Sequence, residues 1–517
     1  MGKSHAYRPP HLRGAKPADR APAEPAQPAQ PTQQNGSFWW QAPGSQPAGN
    51  TAAAGTPNRQ QAQTGPSTQT ERARSFRQLV QAAEECQKQA ERRPDEAARG
   101  LYREGARLCR SALSLAGEAI EGGAGPSWQA QALEVQLLLG AHLQALADVT
   151  ARLPSLAPPS PSVLREAEAA IAEACQHYSQ AVDAYQPCIN ASEPGDGAEV
   201  PFVNCARALR SWGELCPDPS QAVPLLQRSV AMLESALSAD VCPEDSRADV
   251  LGSHAGSLAA LGDRLLNADP PQVEPGLEAC TRARAAYSDA CQLSHSANGD
   301  DLPGLLLDWG AALHTMAGHA AVAGGQGEAV ELLEEAASRF RDAVSFGRQD
   351  VAPLNGIGDV HVAMAELAAE SADGTVRGRS ESAWLAAALT EGYEAALRID
   401  KADVDALVGV AEANVLLGKA AAAAGAGDAQ GHFSAAKAAY EAALSNPAAL
   451  GSWEDRLGVV FNAACACVLA GAENDAVSLL AQLLWIGGTT IEEIRADEDV
   501  GALADSDALM SAAARST

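Results

Sequence analysis

The sequence predicts an all-α fold, a solenoid of stacked antiparallel helix hairpins, on three observations. The first is composition: 46% of the 517 residues are hydrophobic but only 4% are aromatic. The core is therefore built from Ala, Leu and Val, and a scarcity of β-branched and aromatic residues favours close-packed helices over a β-sandwich. The second is periodicity. From residue 73 onward, Ala/Leu/Glu-rich segments with 3.6-residue spacing alternate with Gly/Pro/Asp breaks, and no two-residue alternation persists. The third is an internal repeat.

The repeat has one spacing: a small residue, three of any kind, a large apolar residue, two of any kind, a small residue and an apolar one. Ala174–Tyr178–Ala181–Val182, Ala283–Tyr287–Ala290–Cys291, Ala336–Phe340–Ala343–Val344 and Ala436–Tyr440–Ala443–Leu444 carry it in full. Ser229–Leu233–Ala236–Leu237 is a near match, Leu389–Tyr393–Ala396–Leu397 departs at its first position, and Ala476–Leu480–Leu483 is a worn last copy. The large residues follow one another at steps of 55, 54, 53, 53, 47 and 40, so the chain is an array. Offsets of three, four and seven lie on one helix face. The large residue is a knob, and the alanines beside it let a neighbouring helix approach. Upstream of each knob helix stands another with its own small residue: Gly310, Gly358, Ala411 and Ala464. Each unit is thus a hairpin whose apolar faces only stacking can cover.

Four regions follow in order. Residues 1–72 are Pro-, Gln-, Ala- and Gly-rich and cannot bury enough apolar area to offset ordering entropy, which predicts a disordered tail. Two aromatic islands interrupt it, one with Tyr7 and Leu12, the other with Trp39 and Trp40. Residues 73–160 read as an N-terminal helical cap, where only Gly105–Cys109–Ala112–Leu113 aligns. Residues 161–485 hold the repeats, and 486–517 two acidic capping helices.

The repeats resemble the tetratricopeptide family. "ALRIDKADVDALVGVAEANVLLG" is similar to that family's junction between consecutive repeats, "AKAAYEAALSNP" to its second helix, and residues 460–484 to a terminal repeat. The resemblance implies a right-handed superhelix whose first helices line a concave, partner-binding face. The departure is the period, 40 to 55 where the family has about 34.

Charge narrows the partners. The net charge is −28, the tail carries +4, and the remaining −32 repels phosphate backbones, so the array is predicted not to bind DNA. Counting from the apolar register, Asp308, Asp359, Asp405 and Glu412 point into the groove, as do Arg207 and Arg210 further upstream. An acidic groove of this kind predicts a basic or helical peptide as occupant. In the subclass that grips the C-terminal Glu-Glu-Val-Asp of chaperones, Lys, Asn and Arg stand at set places. Asn462 fits one of them, but Val408 and Glu412 occupy places where Lys and Asn are wanted, which excludes that clamp. "YRPPHLRG" (7–14) resembles an N-terminal element of DEAD-box RNA helicases, where a Tyr-x4-Leu pattern matching Tyr7 and Leu12 is linked to the cap-binding initiation factor.

No enzyme motif is present: no HExxH, G-x-S-x-G, GxxxxGK[ST] or strand-to-helix GxGxxG. His314, His319 and His361 read as helix-face histidines, and Cys465 and Cys467 as small buried residues, because no second ligand pair accompanies them. The eleven scattered cysteines predict a reducing compartment. The start lacks an apolar segment of signal-peptide type, and no apolar run reaches the ~18–20 residues of a bilayer span. The expectation is a non-enzymatic adaptor, without cofactor or metal, in cytoplasm or nucleocytoplasm. The alternatives are a chloroplast factor assembling or repairing a membrane complex, and a translation-linked adaptor acting through the tail.

Overall fold

The computed structural model describes residues 66–516 apart from short stretches at 94, 153–162, 193–196, 239–241, 297–301, 347–349, 426 and 447–452. The described residues form an all-α solenoid of eight helix hairpins. The first pairs α1 (Pro66–Ala90) with α2 (Asp95–Glu121), and the second α3 (Pro126–Arg152) with α4 (Val163–Ala191). Then come α5 (Val200–Leu215) with α6 (Pro219–Ser238), α7 (Arg247–Leu266) with α8 (Val273–Ser296), and α9 (Leu302–Val322) with α10 (Gln326–Phe346). In the sixth, α11 (Ala352–Glu370) pairs with a second helix in three parts: α12 (Glu381–Ala387), a π-helical turn (Ala388–Tyr393) and α13 (Glu394–Ile399). The last two are α14 (Val404–Ala423) with α15 (Ala429–Leu444) and α16 (Trp453–Leu469) with α17 (Glu473–Ile486). Two short helices, α18 (Ile491–Ala496) and α19 (Asp507–Ser516), cap the end.

The helix α1 begins at Pro66, inside the stretch that composition assigns to the tail, and it pairs with α2 as a full hairpin. Cys109 and Ala112 of that hairpin are wholly buried, so the weakly readable register holds there too. A two-residue ribbon, β1 (Thr375–Val376) and β2 (Arg379–Ser380), decorates the α11–α12 loop. Gly374 and Gly378, both at positive φ, turn the chain around it. The Val376 carbonyl accepts the Trp384 indole N–H at 3.1 Å, pinning the ribbon to the hairpin. Among the described residues one helix, α14, is long and apolar enough to cross a membrane by length and composition alone. Its Ala406, Gly409, Ala411 and Ala413 are buried against neighbouring helices.

The predicted knobs are the core. Tyr178, Leu233, Tyr287, Phe340, Tyr393, Tyr440 and Leu480 are all buried, none more than 3% exposed. Small residues make the seats. A β-carbon on Gly310 or Gly356 would stand 2.7 or 2.6 Å from the Phe340 ring, so that ring is clamped between its own first helix and the next one. Tyr393 is clamped in the same way between Gly358 and Gly409. Hydrogen bonds stitch the same seam: Asp403 caps α14 by accepting from the Ala406 N–H at 2.8 Å, and also accepts from Asn355 Nδ2 of α11 at 2.8 Å.

The departure at Leu389 has a physical cause. A π turn inserts one residue into the helix. The small residue that seats the knob is therefore Ala388, wholly buried and five places before Tyr393, while Leu389 is only half-buried.

Candidate functional site

Successive first helices touch directly: α3 with α5, α5 with α7, α7 with α9, α9 with α11 and α11 with α14. Successive second helices pack less closely and are spanned by ion pairs, Arg282 of α8 to Glu234 of α6 and Arg284 to Glu335 of α10. The array therefore curves toward its first helices, which line the inner face. This follows from side-chain size: glycine and alanine on the first helices allow close approach.

On that face the six residues read as groove-lining have different fates. Arg207 is half-exposed and bridges two first helices, donating to Asp249 Oδ1 at 2.9 Å and Ser253 Oγ at 3.2 Å of α7. Asp359 is half-buried and accepts the Tyr393 hydroxyl at 2.8 Å. Burial, with Asp359 and then Glu412 nearby, holds that hydroxyl far above the ordinary tyrosine range. Glu412 accepts from Asn462 Nδ2 of α16 at 3.4 Å, joining consecutive first helices. Asp405 is exposed near the start of α14. Asp308 is half-buried beside the knob of the preceding hairpin, and burial first, then Asp308, holds the Tyr287 hydroxyl above its ordinary range. Thus Asp359 and Glu412 serve the array itself as well as the face.

A second device recurs. Tyr178 of α4 donates to Asp148 of α3, as Tyr393 does to Asp359. In both, the tyrosine ring fills the core while its hydroxyl emerges between first helices and is received by a carboxylate. Burial raises the Asp148 carboxyl despite that bond.

Between α5, α7 and α9 the device is incomplete. The Tyr287 hydroxyl is buried and has no hydrogen-bond partner, and neither has the buried Arg210 Nε. Gly256 makes the space: the Arg210 guanidinium occupies the place a β-carbon there would fill, with the Tyr287 hydroxyl 3.5 Å from the same point. Glu214 lies 3.8 Å from Arg210 Nε, too far for a hydrogen bond. Sequence register gives Arg210 and Asp308 separately. It does not give the tyrosine between them, which reads only as core.

The other candidates resolve as structural groups. His319 Nε2 pairs with Asp263 at 3.0 Å, and His361 is buried against Trp384, with ring centroids 5.4 Å apart. Cys465 and Cys467 are both buried but diverge. Cys465 packs toward Asp497, with Sγ 3.8 Å from Oδ1, while Lys437 and Asp475 act on Cys467. Cys465, Asp497 and Asp499 bring three metal-type donor atoms within 4.8 Å of one another. A cation is already there: Lys419 Nζ lies 2.8 Å from both Asp499 and Glu498. Tyr7, Leu12, Trp39 and Trp40 lie outside the described residues.

No family model and no curated protein matches the sequence. Among solved structures, the chain is similar to a circular tandem repeat protein at 16% identity and TM-score 0.29, covering 86% of this chain and 96% of that one. It is similar to a monomeric IFIT1 mutant with m7Gppp-AAAA at 14% and 0.33, covering 81% and 86%. With the S. pombe nuclear import adaptor Nro1 it shares 13% at 0.29, covering 72% and 95%. At these values the superpositions match helices to helices and carry no argument about partners; the chain is a helical-repeat solenoid on the evidence of its own hairpins.

Proposed function

We propose that the chain is a non-enzymatic scaffold of tetratricopeptide type that holds a protein segment along the face lined by its first helices. The observation that carries this reading is the inner face itself, where first helices in direct contact present Arg207, Arg210, Asp405 and Glu412, half-buried or exposed, along one continuous surface. Asp405 and Glu412 further along favour a segment bearing Lys or Arg.

Selection of peptides from a displayed library against the intact chain tests it. Arg210→Ser and Asp405→Lys should each change or abolish the selected set. Glu278→Lys, on the exposed outer side of α8, should leave it unchanged. Equal effects from all three, or no selection at all, would remove the groove as the binding surface.

A further inference from the structure

The start of α4 points to a property of the whole array. Tyr178 and Tyr185 of α4 bond Asp148 and Gln144 of α3. In this antiparallel register the last residue of α3, Arg152, faces α4 near Ala174. On the other side, Arg99 near the start of α2 bonds Glu173 at 2.6 Å. The first turns of α4, from Val163 to about Ala170, therefore project past both neighbours. A projecting helix end meets water, and Arg165, Glu166, Glu168 and Ala169 are indeed exposed. Ala167, among them, is only 4% exposed. It belongs to the apolar cluster of Phe461, Leu480, Leu483, Ile494 and Leu509, which lies in α16 to α19 at the opposite end of the chain.

We infer that the array closes on itself: the projecting start of α4 seats on the C-terminal cap, turning the curved stack into a ring. The seam runs between the second hairpin and the eighth, so the intervening hairpins complete one turn. Closure converts the inner face of α5 to α14 into the wall of an enclosed channel. An extended segment or a single helix enters it end-on, and a folded domain enters only when the seam opens.

Small-angle scattering and sedimentation of the intact chain, compared with Ala167→Glu, test this. The expected result is a ring-like profile for the wild type. The variant should show a larger radius of gyration and slower sedimentation at unchanged helical content. A wild-type profile of an open arc, or identical values for a folded variant, would overturn it. A second measurement needs no variant. A dihydrazide cross-linker on the wild type should join Glu166 or Glu168 to a carboxylate within 492–507, and the absence of any such cross-link would also overturn the closure. These outcomes are independent of whether any peptide binds.

Discussion

The Tyr393 hydroxyl donates to Asp359 at 2.8 Å across the inner face, while its ring is held between Gly358 and Gly409. One side chain thus fills the core of its hairpin, spaces two first helices and satisfies a carboxylate. Tyr393→Phe keeps the first two roles and removes the third, leaving Asp359 half-buried without that donor. Losing one partner of such a bond costs about 1–3 kcal/mol. Chemical denaturation should show the loss, and Asp359→Asn, which keeps an acceptor, should cost less.

Two helical glycines, Gly392 in the π turn and Gly318 in α9, should respond with opposite sign. A β-carbon on Gly392 would stand 2.5 Å from the backbone of Gly358, where no flexible group can yield. Gly392→Ala therefore forces the second helix away from α11 and should cost about 1–3 kcal/mol, as overpacking does. Gly318 of α9 has nothing within 4 Å of the same point. There alanine restricts the unfolded chain and improves helix propensity, so Gly318→Ala should stabilise by about 0.5–1 kcal/mol. Equal melting shifts for the pair would contradict the packing described.

The cysteines should sort by burial. Desolvation pushes the Cys109 thiol up to about 12, and those of Cys205, Cys280 and Cys291 up to about 11. The thiolate is the reactive form, so at pH 8 these four are nearly inert. Cys86, Cys175 and Cys242 are only half-buried. Alkylation of the native chain followed by peptide mass spectrometry should label those three first. Cys109, Cys205, Cys280 and Cys291 should appear only on denaturation.

The knobs were legible because their signal is local. Three- and four-residue offsets around Tyr287 or Phe340 encode a helix face wherever they occur. The repeat spacing falls on Leu389 and not on Ala388 because a π turn changes the offset to five, and nothing in composition marks one. The second seats, Gly356 and Gly409, are not encoded in the repeat spacing, because each belongs to the hairpin after its knob. A glycine two places before the recurring small residue was the signal that could have found Gly356. Register does not give the partners of the groove carboxylates: Asp359 is joined to Tyr393 and Glu412 to Asn462. Register gives the direction of one side chain and not the reach of another. The burial of Ala167 was out of reach altogether, since it depends on curvature summed over the whole array.

Acid should weaken the fold through its buried histidines. Burial lowers the affinity of His142, His254 and His361 for a proton below the ordinary value of 6.5. The His142 ring is buried and its Nε2 lies 3.1 Å from the Ala83 carbonyl oxygen. His361 Nδ1 has no partner. The unfolded chain therefore binds protons first as pH falls, and stability drops. The histidine contribution is fully present above about 6.5 and is lost as pH descends toward the lowered folded values. Asp148 acts with the opposite sign, because its raised carboxyl contributes stability at low pH that is lost as pH rises. A single substitution separates the two. His361→Leu removes one titrating ring, keeps an apolar side chain against Trp384 and leaves Asp148 untouched. The wild type should lose on the order of 1 kcal/mol per buried histidine for each unit of depression. The variant's loss between pH 7 and 5 should be smaller by about one such share. Denaturation midpoints across that range measure it, and parallel pH profiles for the two proteins would show that His361 is not held neutral by its burial.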